Sequence, residues 1–128
     1  MMLVSKMSAS NIFNALALVS VCVTAALHWY GVELSLYWTI PWWDILAHFF
    51  GGLTIGLWVA AVVIRLGLSI KRAALFLIIL TAAVSIGWEV WEALEGLSGG
   101  QLDTIKDLVD DMLGAGAAWL IYKWSRMW

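Results

Sequence analysis

The chain has 128 residues, of which 63% are hydrophobic and only 12% charged, and it contains ten tryptophans, one proline and one cysteine, Cys22. Its mean hydropathy of +0.91 is far from that of a soluble globular domain. Its net charge is −2, and its sequence has no basic patch interleaved with aromatic residues. This composition excludes a nucleic-acid-binding protein and an internal disulfide, and it predicts a single membrane-embedded domain over residues 1–128.

Four apolar segments follow one another along the chain, at about residues 11–30, 44–66, 72–97 and 103–124. The first resembles a signal peptide, because Lys6 precedes it, but we interpret it as a transmembrane helix. Each segment is close to the ~20 residues that cross a ~30 Å hydrocarbon core, and backbone groups in lipid must be hydrogen-bonded within their own segment, so each is expected to be helical. Short links predict an all-α, polytopic membrane protein, an up-down bundle of four transmembrane helices.

The link between the first two segments carries the run YWTIPWW, residues 37–43. Tyrosine and tryptophan prefer the membrane–water interface, where their rings reach the apolar layer and their polar groups reach water. We therefore predict a short interfacial aromatic segment that lies on the membrane between the first two helices.

The basic residues are distributed unevenly about the four predicted spans. Six of the seven fall on the same side of the membrane, and only Lys106 falls on the other. Because basic residues concentrate on the cytoplasmic side, we predict a multi-pass protein of the cell membrane with both termini in the cytoplasm. All nine acidic residues and both histidines then lie in the outer half. The six basic residues are Lys6, Arg65, Lys71, Arg72, Lys123 and Arg126.

Three of the predicted helices carry acidic or histidine residues on one face at their outer ends. Asp44 and His48 are four residues apart and Glu89 and Glu92 are three apart, so at about 100° per residue each pair shares a face. Small residues beside these positions, in the runs GLTIG and GAGAA, let helix backbones approach closely. We therefore expect the polar faces to converge. The last helix contributes Asp103, Asp107, Asp110 and Asp111, within an arc of about 100°.

A cluster of buried carboxylates with few basic partners cannot remain ionised in an apolar layer unless a cation neutralises it. A divalent metal ion supplies that charge, and oxygen-rich ligation with one imidazole suits Mn, Fe or Mg, with Zn as a further candidate. We expect Glu92 or Asp103 to act as a general base or to support the ligands. The predicted metal ligands are Asp44, His48, Glu89, Asp107 and Asp111.

Several of these residues also have an ordinary structural interpretation. Asp44 and Asp103 stand where helix N-caps are expected, and Asp107 and Asp110 would suit a face turned to water. This interpretation does not extend to the deepest groups, which lie about 7–12 Å inside their helices at about 1.5 Å per residue. Those deepest groups are Glu89, His48 and Asp111, whereas Glu33 and Glu95 are expected to be solvated helix ends and His28 an interfacial side chain.

The spacing of the polar residues resembles that of a known family. The pattern Asp44-x3-His48, Glu89-x2-Glu92 and Asp103-Thr104-x2-Asp107-x3-Asp111-x2-Gly114 is similar to that of the YjdF-like small integral membrane proteins of prokaryotes, and more distantly to the VanZ-like family. The resemblance covers about residues 42–118, although GGQLDTIK lacks a tryptophan and a glutamine of the YjdF-like motif, and an aspartate replaces a VanZ-like asparagine. It implies the bundle fold and this choice of residues, but no reaction.

Three functions fit this sequence, which does not decide whether the chain is an enzyme. The first is a metal-dependent membrane enzyme that acts on a lipid or envelope precursor. The second is a non-catalytic subunit or scaffold of a larger membrane complex. The third is an ion or proton transport component, against which residues 57–63 and 75–80 are uniformly apolar. The predicted partners are the lipid bilayer and either other membrane proteins or further copies of this chain.

Overall fold

The computed structural model describes residues 2–97 and 99–126, with the backbone alone for residues 2–6. It is built from helices, which confirms the all-α prediction. A short helix lies in the aromatic link, and the long helices overlap the predicted spans. The first helix begins at Met2 rather than near residue 11, because no glycine or proline interrupts residues 2–10. The helices are α1 (Met2–Glu33), α2 (Leu36–Thr39), α3 (Trp43–Leu66), α4 (Ile70–Glu95) and α5 (Gln101–Ser125).

Within the part of the chain that the structure describes, three helical segments are long and apolar enough to cross a membrane, namely Met7–Glu33, Trp43–Leu66 and Ile70–Glu95. They hold 24 to 27 residues, or roughly 36–40 Å at about 1.5 Å per residue, against a hydrocarbon core of ~30 Å. Large apolar side chains on them are exposed, such as Leu18 at 64% and Ile79 at 58%, as lipid-facing residues are. α5 has 25 residues, but its first half is highly charged, so a span through α5 stays a prediction.

α3 lies at the centre of the structure, and α1 packs along it in the opposite direction. Ser10 of α1 donates its hydroxyl to the carbonyl of Ala61, at 3.0 Å. At the other end of the pair, Trp43 of α3 donates its Nε1–H to the carbonyl of Leu27, also at 3.0 Å. Polar contacts of this kind stabilise helix pairs in lipid, where no water replaces a lost partner. They hold α1 along most of the length of α3.

α3 and α5 run in the same direction and touch through glycine. A Cβ atom at Gly52 would overlap the backbone carbonyl of Asp111, and one at Gly114 would overlap the carbonyl of Phe49. The absence of side chains at these two positions therefore lets the backbones meet, as in other small-residue helix contacts of membrane proteins. Gly56 extends the same contact by one helical turn. We refer to this crossing as the glycine contact.

α4 packs against α3 and α5, and its contact with α1 is made by side chains, His28 with Trp88 and Trp91. Among the described residues, no Cα atom of α4 lies within 8 Å of a Cα atom of α1. The buried face of α4 is apolar near Ile70 and polar near Glu95, so its polar half meets the beginnings of α3 and α5. In chain order the buried residues of this face are Ala73, Leu77, Thr81, Ser85 and Glu89.

Glycine also fixes where α4 ends. Gly96 has φ of 72°, a left-handed conformation that glycine adopts without steric cost. The N–H of Leu97 donates to the carbonyl of Glu92 at 2.9 Å, which closes the last turn of the helix. Glu89 and Glu92 therefore lie within the last two turns of α4, beside the first turns of α3 and α5.

The glycine contact predicts a contrast between two glycines of α5. Gly114→Ala places a methyl group against the α3 backbone and should lower the free energy of unfolding by about 1–3 kcal/mol, as overpacking does. Gly116→Ala is the matched control, because nothing lies within 4 Å of its Cβ position. Thermal unfolding in detergent measures both. Equal destabilisation by the two substitutions would contradict the proposed closeness of the two backbones.

Candidate metal centre

The predicted site residues meet at one end of the structure, where α1 and α4 finish and α3 and α5 begin. We call this the acidic end. His48 lies at its centre, only 7% exposed, on the second turn of α3. Its Nδ1 atom is 3.4 Å from Asp111 Oδ2, and its Nε2 atom is 3.5 Å from Asp44 Oδ1 and 3.7 Å from Asp107 Oδ2. Asp44 is placed by helical spacing, whereas the two α5 aspartates are brought there by the glycine contact.

α4 completes this group with two glutamates. One ring nitrogen of His48 and one carboxylate oxygen each from Glu89, Glu92 and Asp107 all lie within 4.8 Å of one another. Glu89 is 8% exposed, and its Oε1 atom is buried without a hydrogen-bond partner in the described structure. Glu92 is half-buried and accepts a hydrogen bond of 2.8 Å from Trp88 Nε1. Three helices thus direct four metal-ligating groups at one point.

Lys106 is the basic residue within this cluster. Its Nζ atom lies 2.7 Å from Asp44 Oδ2, donates to Asp107, and lies 3.7 Å from Asp110 Oδ2. Asp44, Asp103 and Asp107 form a second group of oxygens within 4.8 Å of one another. That second group is next to the Lys106 ammonium, whose single positive charge offsets part of the charge of its three carboxylates. The group around His48 and Glu89 is therefore the better candidate for a metal ion.

The charges at the acidic end do not balance within the protein. Four carboxylates there are at most 8% exposed, and a buried carboxylate is costly unless a cation pairs with it. The Lys106 ammonium is paired with aspartates, so His48 is the basic side chain that the described structure places beside Glu89 and Glu92. When all of them are ionised, the carboxylates of the acidic end carry more negative charge than Lys106 and His48 together balance. The four buried carboxylates are Glu89, Asp107, Asp110 and Asp111.

The structure separates the predicted ligands into two sets. His48, Glu89 and Asp107 belong to the four-residue group, and Glu92, predicted as a base or supporting residue, joins them there. The other predicted ligands lie against the ring of His48 instead, Asp44 beside Nε2 and Asp111 beside Nδ1. Asp103 lies beside Asp44 and Asp107 rather than with the glutamates. The roles of all these residues stay predictions.

The ordinary structural interpretations of the aspartates are wrong, whereas those of Glu33 and Glu95 agree with the structure. Asp44 and Asp103 are not N-caps, because Trp42 and Gly100 occupy those positions and the two aspartates lie in the first helical turns. A water-facing position for Asp107 is wrong as well, since it is 1% exposed, and Asp110 is 8% exposed. The reason is that the glycine contact turns this face of α5 toward α3. Glu33 and Glu95 are exposed, as expected.

His28 lies in an aromatic cluster that joins α1, α2 and α4. Its ring centre is 5.3 Å from that of Trp88 and 6.1 Å from that of Trp91, and its Nδ1 is 3.2 Å from the Tyr37 hydroxyl. Burial, together with the charge of Asp44, raises the pKa of Tyr37, so its hydroxyl stays protonated. His28 thus lies among aromatic rings, and its interpretation as an interfacial side chain stays a prediction.

Two features of the site escaped the sequence interpretation. The first is Lys106 as the cation that joins α3 to α5, which depends on how the helices pack. The second is a pair of buried hydroxyl groups on α4, Thr81 and Ser85, whose Oγ atoms lack hydrogen-bond partners in the described structure. Thr81, Ser85 and Glu89 are spaced by four residues, and that spacing is the signal that would have revealed this polar stripe.

Comparison with known proteins gives one match. Residues 1–127 match the family described as "Predicted membrane protein (DUF2238)". No curated protein and no solved structure matches the chain. The family description agrees with the three apolar helices and their exposed apolar side chains. Because the match covers nearly the whole chain, the protein belongs to the DUF2238 family of predicted membrane proteins.

Proposed function

We propose that this protein is a membrane enzyme that binds a divalent metal ion at its acidic end and acts on a lipid or envelope precursor. The observation that carries the proposal is the convergence of His48, Glu89, Glu92 and Asp107, from three different helices, within 4.8 Å. A chance acidic patch on a surface does not bury its ligands, whereas His48, Glu89 and Asp107 are buried. The unpartnered Oε1 of Glu89 also needs a donor or a cation.

The ligand chemistry favours a metal that accepts oxygen donors and one imidazole. Mn, Fe and Mg meet this condition, and Zn does so with His48 and two carboxylates. In this arrangement Nδ1–H of His48 donates to Asp111, which orients the ring and leaves Nε2 for the metal. A bound metal would polarise a substrate oxygen or activate water, the two contributions that hydrolytic and transfer reactions require.

The charged half of α5 is compatible with a fourth transmembrane span. Its aspartates face α3 and α4 rather than lipid, and Asp107, Asp110 and Asp111 are buried inside the protein. The basic residues Arg65 and Lys123 lie at the opposite end of their helices, as the positive-inside rule requires for cytoplasmic termini. We therefore retain the up-down bundle of four spans, and the membership of DUF2238 is consistent with the resemblance to the YjdF-like proteins.

Transport and a purely structural role are the alternatives. The polar stripe of α4 extends from Glu89 through Ser85 to Thr81, but the next buried residues of that face, Leu77 and Ala73, are apolar. A continuous polar path across the membrane is therefore not supported, and this argues against transport. The ion pair of Lys106 with Asp44, which joins α5 to α3, favours a structural role for part of the cluster, but it does not involve the glutamates of α4.

The first prediction concerns metal binding. Protein freed of metal by a chelator should melt at a higher temperature when Mn, Fe, Mg or Zn is added, because a ligand at about 100 times its Kd stabilises the folded state by about 2.7 kcal/mol. Glu89→Gln should abolish this shift, whereas Glu95→Gln, at an exposed position of the same helix, should keep it. Thermal unfolding and elemental analysis of the purified protein measure the effect.

Two outcomes would contradict the metal site. One is the absence of bound metal in the purified protein together with no change of melting on adding any of the four ions. The other is a metal-induced shift that Glu89→Gln leaves intact. If Glu89→Gln and Asp111→Asn are both tolerated in a stable, metal-free protein, the acidic cluster has a scaffold role instead.

The second prediction concerns the fourth span. In a Cys22→Ser background, Thr39→Cys should react with a membrane-impermeant maleimide in intact cells, because the aromatic link is predicted to lie outside. Ser69→Cys and Ser125→Cys, both at exposed positions, should react only after permeabilisation. Reaction of Ser125→Cys in intact cells, with Ser69→Cys still protected, would show that α5 does not cross the membrane.

A further inference from the structure

A cavity of about 210 Å³ lies over α3, between α1 and α4. It exists because α1 and α4 both pack against α3 while their own Cα atoms stay more than 8 Å apart in the described structure; their side chains meet at the acidic end, where His28 contacts Trp88 and Trp91. Every helix contributes to its wall, including α5 through Asp111 and α2 through Tyr37.

The lining of this cavity becomes less charged along the helix axes. At the acidic end it presents His48, Asp111 and His28. One to two turns farther along the helices it presents Val21 and Val84, together with Thr24 and Thr54, whose hydroxyl groups are already bonded to backbone carbonyls of their own helices. A membrane lipid has the same order of groups, with a polar head toward the interface and hydrocarbon toward the bilayer centre. The cavity therefore matches an amphipathic molecule in its normal orientation in the membrane.

The side opening of the cavity faces the bilayer rather than water. Val21 and Val84 are 44% and 47% exposed, and both lie in helices long and apolar enough to span the membrane. At the acidic end the aromatic cluster of His28, Tyr37 and Trp88 lies across the cavity. A ligand would thus enter sideways between α1 and α4, from the hydrocarbon layer.

The inner wall offers partners for the polar part of such a ligand. Ser85 is 2% exposed, lines the cavity, and has no hydrogen-bond partner for its Oγ atom in the described structure. His48 lines the same cavity and belongs to the proposed metal group with Glu89 and Asp107. The cavity thus connects the hydrocarbon layer directly to the ligand group, and a hydroxyl donor stands at the junction.

We propose that the cavity between α1 and α4 binds one hydrocarbon chain of an anionic membrane lipid and directs its phosphate head group to the His48–Glu89 group. The volume exceeds that of a ~150 Å³ cavity that holds benzene, so it takes a segment of a chain while the remainder stays in the bilayer. Binding of the chain stands independently of the metal, whereas placement of the head group rests on the proposed function, because the carboxylates alone would repel a phosphate and only a bound divalent ion would attract it.

Photo-crosslinking tests the chain. The full-length protein, loaded with the metal that stabilises it, is reconstituted in liposomes containing phosphatidic acid with a diazirine in one acyl chain, and the adducts are mapped by mass spectrometry. Adducts should concentrate on Val21, Ile55 and Val84. Val21→Trp and Val84→Trp, which fill the opening, should remove them. Val19→Trp and Val90→Trp are matched controls at lipid-facing positions that do not line the cavity, and they should leave the adducts unchanged.

A second arm tests the head group. Diacylglycerol with the same labelled chain should give fewer cavity adducts than phosphatidic acid, inorganic phosphate should not displace either, and Glu89→Gln should remove the preference. Adducts spread evenly over the lipid-facing surface, and unchanged in the filling variants, would overturn the proposal. So would equal labelling by the two lipids in metal-loaded protein. Cavity adducts in a protein that binds no metal would preserve the chain site and reject the proposed metal function.

Discussion

The contact between the backbones of α3 and α5 determines the rest of the acidic end. Gly52 and Gly114 bring the two helices so close that Asp111 and Asp107 stand beside His48. A side chain at either glycine would separate the helices, and the aspartates would then lose both the imidazole and the shelter of α3. The same closeness buries their carboxylates, beside which Lys106 and His48 lie as basic partners. Packing and charge are therefore two consequences of one contact.

The acidic end divides its negative charge between two kinds of compensation. Lys106 pairs with aspartates of α3 and α5 and so ties the two parallel helices together. In the described structure no lysine pairs with the glutamates of α4, which lie beside His48. Lys106 is 40% exposed, so its ion pairs are partly screened by solvent, and they contribute to the packing of α5 on α3. The glutamates are the part of the cluster that the proposed metal ion would neutralise.

Local spacing was enough to identify much of this site from sequence. Each of two pairs lies on a single helix, Asp44 with His48 and Glu89 with Glu92. Once the hydrophobic segments are taken as helices, their spacing alone puts the members of each pair on one face. The position of Lys106 and the burial of Asp110 depend on which helices are neighbours, and one sequence does not contain that information. The separation of α1 from α4 has the same origin, because neither helix carries a residue that marks the gap.

The separation of the α1 and α4 backbones affects what forms the wall of the cavity between them. α1 and α4 meet at the acidic end, where His28 contacts Trp88 and Trp91, but their backbones stay apart along the cavity, so part of its wall is left to the surrounding molecules. In a bilayer that part would consist of lipid chains, and in a micelle it would consist of detergent. We therefore expect the shape and polarity of the space beside His48 to depend on the surrounding amphiphiles.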